Sequence, residues 1–137
     1  MNSIVYENEI QVRFSDLDGY GHMNSNIYAD LLATSRLLFL EENLEAPLSF
    51  WEENKTGFYA KDFKIDYKYP VMGLAKVGVR SQVISLTEQG FDVEFKFYNT
   101  KRPKLVHAKG TASYVTVNLD TGRAKKLEEW IKPYIIE

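Results

Sequence analysis

Apolar residues recur along this chain with two periods, and the switches between them lay out its elements. Over residues 9–18, Ile10, Val12 and Phe14 fall on alternate positions, the pattern of a strand. Carried on by two, the same parity puts Asp16 and Asp18 on the apolar side. A Gly-Tyr-Gly turn at 19–21 then breaks the strand. From 25 to 42 the spacing becomes helical, with Ile27, Leu31 and Leu38 beside Tyr28, Leu32 and Phe39. Leu37 and Leu40 widen the apolar arc, which predicts a helix enclosed by other structure. Asn24 or Ser25 suits its N-cap and Asp30 its first turn, whereas Glu41 and Glu42 oppose the dipole at the far end.

Residues 47–54 read as a short second helix with Pro47 in its first turn. After Gly57 the period becomes two. Phe63, Ile65, Tyr67 and Tyr69 face one way, against Asp62, Lys64, Asp66 and Lys68. Val77, Val79, Ser81 and Val83 make a looser strand, and Phe91, Val93, Phe95 and Phe97 a sharply alternating one. Residues 105–117 form a long last strand in which Ala108, Gly110 and Ala112 mark the close approach of another element. Turn residues at 88–90, 101–103 and 120–122 predict hairpins, and 127–134 is a short amphipathic closing piece. A strand, a long apolar helix and four strands in an antiparallel meander predict an α+β domain spanning 1–137. A single antiparallel sheet wrapped around that helix accounts for both the wide apolar arc and the small residues.

Composition narrows the chemistry. With 137 residues, 45% of them hydrophobic and 26% charged, the chain supports one sizeable core. Its net charge of -2 gives no electrostatic footprint for nucleic acid. The lack of cysteine removes thiol nucleophiles and Cys-based metal sites, and His22 and His107 are too few for a His-rich centre. No apolar run approaches a membrane span, and no signal-peptide pattern opens the chain, so a cytoplasmic protein is expected. Neither a Gly-x-Ser-x-Gly elbow nor a nucleotide-binding glycine loop is present.

The densest polar cluster lies between the first strand and the long helix. A helix N-terminus offers unpaired N–H groups and about half a positive charge, which can polarise a carbonyl and hold an oxyanion. Asp18 on the adjoining turn supplies a carboxylate as nucleophile or general base. The plainer alternative is that Asp18 and Asn24 only cap the turn and the helix. Asp16 is the competing carboxylate, because two like charges on one strand face would raise a pKa. Lys101, Arg102 and Lys104 form a basic hairpin tip, read as a solvated turn over a phosphate site. The aromatic set Phe91, Phe95 and Phe97, with Trp51 and Tyr59, reads as core or pocket lining, and His107 as a structural or surface histidine.

The run from Asp16 to Tyr28 (DLDGYGHMNSNIY) resembles the signature of hotdog-fold thioesterases of the 4-hydroxybenzoyl-CoA thioesterase type. That signature is Asp-x-Asp-x-x-Gly-His-x-Asn-x-x-x-Tyr at the head of a long helix. The chain is also similar to acyl-ACP thioesterases, although Tyr20 stands where the plant-type enzymes have asparagine. Ile65 to Pro70 and Lys104 to Arg123 resemble the family's second strand and its last strand with closing turn. Val71-Met72-Gly73-Leu74 departs from it, since an acidic residue usually follows that glycine. The resemblance implies a hotdog fold, assembled as a homodimer or homotetramer, that hydrolyses acyl-CoA or acyl-ACP without metal or cofactor. It implies Asp18 as the reacting carboxylate and an N–H near Ser25 as oxyanion donor, with His22, Asn24 and Tyr28 positioning substrate. Two other functions stay open: a hydratase or dehydratase with Asp18 and His22 as base and acid, and a non-catalytic acyl-thioester binding module.

Overall fold

The computed structural model describes residues 2–137. Five strands, β1 (Val5–Gln11), β2 (Thr56–Tyr67), β3 (Lys76–Leu86), β4 (Gly90–Asn99) and β5 (Val106–Asn118), form one antiparallel sheet. Its order is β1-β3-β4-β5-β2. The long helix α1 (Ile27–Leu44) lies against one face of the sheet and packs closest on β1 and β3. The short α2 (Leu48–Glu53) packs on β2 and buries Trp51. This is the sheet-around-helix arrangement expected from the alternating strands and one wide-arc helix.

Only β3, β4 and β5 form a meander. β2 pairs with β5, so the predicted four-strand meander is corrected: residues 68–75 cross from one side of the sheet to the other. The span is three strand spacings, about 14 Å, well within the reach of eight extended residues. Pro70 and Gly73 keep that strap out of the sheet, and it lands on the turn that precedes α1 (Met23 N–H to Val71 O 2.7 Å; Gly73 N–H to Gly21 O 2.9 Å).

Alternation fixes the buried faces. Val77, Val79, Ser81 and Val83 of β3 and Phe91, Val93, Phe95 and Phe97 of β4 are all buried. In β2 a bulge between Ala60 and Asp62 shifts the register, so Thr56 and Phe58 point inward before it and Phe63 and Ile65 after it. The small residues of β5 answer to their neighbours in the sheet and not to the helix. Ala108 lies between Phe97 and Tyr67, Gly110 between Phe95 and Ile65, and Ala112 between Val93 and Phe63. A Cβ at Gly110 would sit 1.9 Å from the carbonyl oxygen of Lys64, so the close approach is the β2 backbone.

Two further expectations change. The first strand ends at Gln11, and Phe14 is 83% exposed in a single 310 turn, Phe14–Asp16. Leu37 is 41% exposed, so α1 is open along one side, while Leu40 on the same arc is buried. The chain closes with a second 310 turn, Lys132–Tyr134, after Leu127 and Ile131 have entered the core.

Candidate active site

The strand gives way to a turn because Asp16 reaches back. Its carboxylate accepts the Arg13 backbone N–H at 2.8 Å and the Arg13 guanidinium at 2.9 and 3.3 Å. None of its surface meets water, and the hydrogen bond from Arg13 holds its pKa below the usual carboxylate range. Asp16 and Asp18 therefore do not share a face, and the raised pKa expected of the pair does not occur at Asp16. A carboxylate so fully engaged builds the turn.

Asp18 stands exposed one step further on. Its backbone N–H donates to the His22 carbonyl at 2.8 Å, and the Gly21 N–H donates to the Asp18 carbonyl at 3.1 Å, which closes a tight turn. Gly21 takes φ +76°, a conformation that a side chain would strain. The side chain of Asp18 accepts the N–H groups of Tyr20 (2.8 Å) and His22 (3.2 Å), both on Oδ1. This is the turn-capping role of the plainer reading, and it also fixes the carboxylate in direction.

The helix begins later than expected, at Ile27, with Asn26 as N-cap. Neither Asn24 nor Ser25 is the cap, and no side chain fills the first helical N–H groups. Asn24 uses its carbonyl for the Ile27 N–H (3.0 Å), and its Oδ1 lies a long 3.4 Å from the Asn26 nitrogen.

Asp18, His22, Asn24, Ser25 and Tyr28 line one open cleft of about 390 Å³, together with Tyr67 and the residues that follow it to Pro70. Tyr67 is the contribution that sequence reasoning missed. Its hydroxyl donates to the Ser25 carbonyl at 2.7 Å, and its ring meets Tyr28 edge-on at 5.2 Å. The proline that ends β2 marked a strand end but not its destination. His107 is buried and holds that end in place: its carbonyl accepts the N–H groups of Lys68 (2.8 Å) and Tyr69 (3.1 Å), and its Nδ1 lies 3.2 Å from the Tyr69 carbonyl oxygen.

Tyr28 is buried against Phe97 (5.0 Å) as well as Tyr67. Burial, with a smaller push from Tyr67, raises its phenol to about 12, so it stays a neutral hydroxyl near pH 7. The basic tip at Lys101, Arg102 and Lys104 is exposed, and Asn99 Oδ1 accepts two of its N–H groups at 2.9 Å each. Among the described residues no group of three His, Asp or Glu side chains could hold a metal ion, and no helix is long and apolar enough to cross a membrane. A fixed carboxylate, uncapped helix N–H groups and three tyrosines lining one cleft can polarise a carbonyl and deliver a nucleophile to it.

Among solved structures, the DHNA-CoA thioesterase from Staphylococcus aureus superposes with a TM-score of 0.80 at 18% identity, over 95% of this chain and 85% of that one. The BH1999 gentisyl-coenzyme A thioesterase gives 0.78 at 23% identity, over 92% and 98%. SAV2348 from Staphylococcus aureus, solved in complex with CoA, gives 0.78 at 12% identity, over 98% and 83%. At these identities the likeness is one of fold, and the fold is the hotdog. A search of curated proteins gave no match. Residues 12–135, which carry the whole cleft and four of the five strands, match the family model of the thioesterase-like superfamily, and the chain belongs to that superfamily.

Proposed function

We propose that the protein hydrolyses acyl thioesters, of coenzyme A in preference to acyl carrier protein, with Asp18 as the reacting carboxylate. The observation that carries this reading is the meeting of Asp18 with the uncapped start of α1 in one cleft. The thioester carbonyl oxygen lies at that helix start, with an N–H near Ser25 as its main donor. Asp18 either takes a proton from water, whose oxygen attacks the carbonyl carbon, or attacks that carbon itself to give an anhydride that water then opens. In both routes the carbon–sulfur bond breaks, the thiolate leaves and takes up a proton, and the acid is released. His22, Asn24 and Tyr28 orient the acyl thioester. A choice of coenzyme A is supported by SAV2348, of the same fold, having been solved with CoA.

The test is thiol release from a panel of aliphatic and aryl acyl-CoA substrates. Wild-type protein is expected to turn over at least one class, and Asp18→Asn to lose several orders of magnitude while keeping its fold. Near-normal turnover by folded Asp18→Asn would remove Asp18 from the mechanism.

A further inference from the structure

A second cavity, of about 290 Å³, opens at the other end of α1. Rings of Tyr6, Trp51, Phe58, Phe91 and Tyr114 form its walls, and exposed Leu48 stands at its rim. It shares no lining residue with the cleft. Tyr28 in the cleft and Arg36 in this cavity lie about 12 Å apart along the helix axis. Leu32, with no exposed surface, fills the turn between them.

One cation faces into this apolar space. Arg36 keeps only 7% of its surface. Its Nη1 donates to Ser81 Oγ at 3.0 Å. The guanidinium carbon lies 4.1 Å from the Tyr6 ring centre, with Phe91 at 5.5 Å and Tyr114 at 5.9 Å. The ion pairs found among the described residues all leave Arg36 out. The one acid that lines the cavity, Glu52, stands exposed on α2 and is not paired with it.

Arginine stays charged and carries five N–H donors, of which a hydroxyl and ring faces satisfy only part. A buried charge is costly unless an anion matches it. Arg36 lines the cavity, and Ser81 Oγ is the side-chain acceptor to which its guanidinium is bonded. Burial pulls the pKa of Arg36 below the ordinary guanidinium value, with Tyr6 and Tyr114 acting against it.

We propose that this cavity is a second binding site, for a small organic acid with an aromatic or aliphatic body whose carboxylate pairs with Arg36. The planar guanidinium fork matches a carboxylate bidentately, and the surrounding rings enclose the apolar body. The site stands independently of the role of Asp18, because it requires no turnover.

Trp51 lines the cavity, so its fluorescence reports occupancy. Phenylacetate titrated into the intact protein is expected to give a saturable change, with affinity at least about tenfold above that of neutral phenylacetamide. Arg36→Leu should bring the two ligands to within about twofold of each other, and Asp18→Asn should leave the preference intact. Should Arg36→Leu fail to fold, Ala33→Phe fills part of the cavity while keeping the cation and should weaken phenylacetate by about tenfold or more. The proposal is overturned by the absence of saturable phenylacetate binding, by equal affinity for acid and amide, or by a preference that survives Arg36→Leu. It is equally overturned if Ala33→Phe leaves phenylacetate binding unchanged.

Discussion

Asp16 has given up all contact with water for the backbone and guanidinium of Arg13, while Asp18 keeps its carboxylate at the edge of an open cleft. Removing the first should cost stability and removing the second should cost turnover. Asp16→Ala leaves the Arg13 N–H without its acceptor and should destabilise the fold by roughly 1–3 kcal/mol in urea unfolding. The pH dependence has a definite sign. A carboxylate whose folded pKa is lowered stabilises the fold above its unfolded pKa of about 3.9, and loses that contribution as pH falls toward the folded value. The stability gap between wild type and Asp16→Ala should therefore narrow below about pH 4. A gap that widens on acidification would contradict the engagement of Asp16. Ser25 tests the donor. Ser25→Ala keeps the backbone N–H and should hold turnover within about tenfold, or about 1.4 kcal/mol. Ser25→Pro removes that N–H and should cost far more, although Ser25, two residues before α1 begins at Ile27, belongs to no helical ladder that proline would break. Equal inactivity of the two variants would assign the chemistry to the hydroxyl.

Each wall of the cleft comes from a different element, and each arrives by a local rule. The β1 extension turns at Asp16, α1 starts at Ile27 without a side-chain cap, and β2 ends at Tyr67 with its following residues held by His107. The sheet keeps β2 in register because β5 presents small residues where β2 and β4 present large ones. Gly110→Ala places a methyl group against the Lys64 carbonyl, and overpacking of that kind should destabilise by about 2–3 kcal/mol. The same change at Ala108 or Ala112 is not available, so a urea midpoint that is unmoved in Gly110→Ala would show that β2 yields. The basic hairpin tip, by contrast, is an exposed turn ordered by Asn99.

Taken as a whole, the chain leaves two sheet edges open, the short β1 and the long β2. β1 carries Glu7 and Glu9, which guard it, whereas β2 runs for 12 residues and leaves Tyr59 and Tyr67 half-exposed. We expect a homodimer at minimum, joined along edge strands, and sedimentation should find a species of twice the chain mass. A monomer that persists at all concentrations would contradict it.

The amino-acid sequence by itself determined the alternation of β3 and β4, the long helix, and the motif from Asp16 to Tyr28 that belongs to the cleft. These are signals of short range: a period of two or of 3.6, or a run of thirteen neighbours, is written in consecutive residues. It did not determine which strand lies beside which. The place of β2 next to β5 depends on pairings between residues about fifty positions apart, and on the fit of Ala108, Gly110 and Ala112 among Tyr67, Ile65 and Phe63. The division of labour between Asp16 and Asp18 was equally hidden. Their parity on an extended strand is the same, and only the 310 turn at Phe14–Asp16 sends one inward and leaves the other in solvent. Tyr67 reached the cleft, and Arg36 came to face a cavity without a counter-ion, for the same reason. A side chain's neighbours across a sheet are set by register and packing, and neither is a local property of the chain.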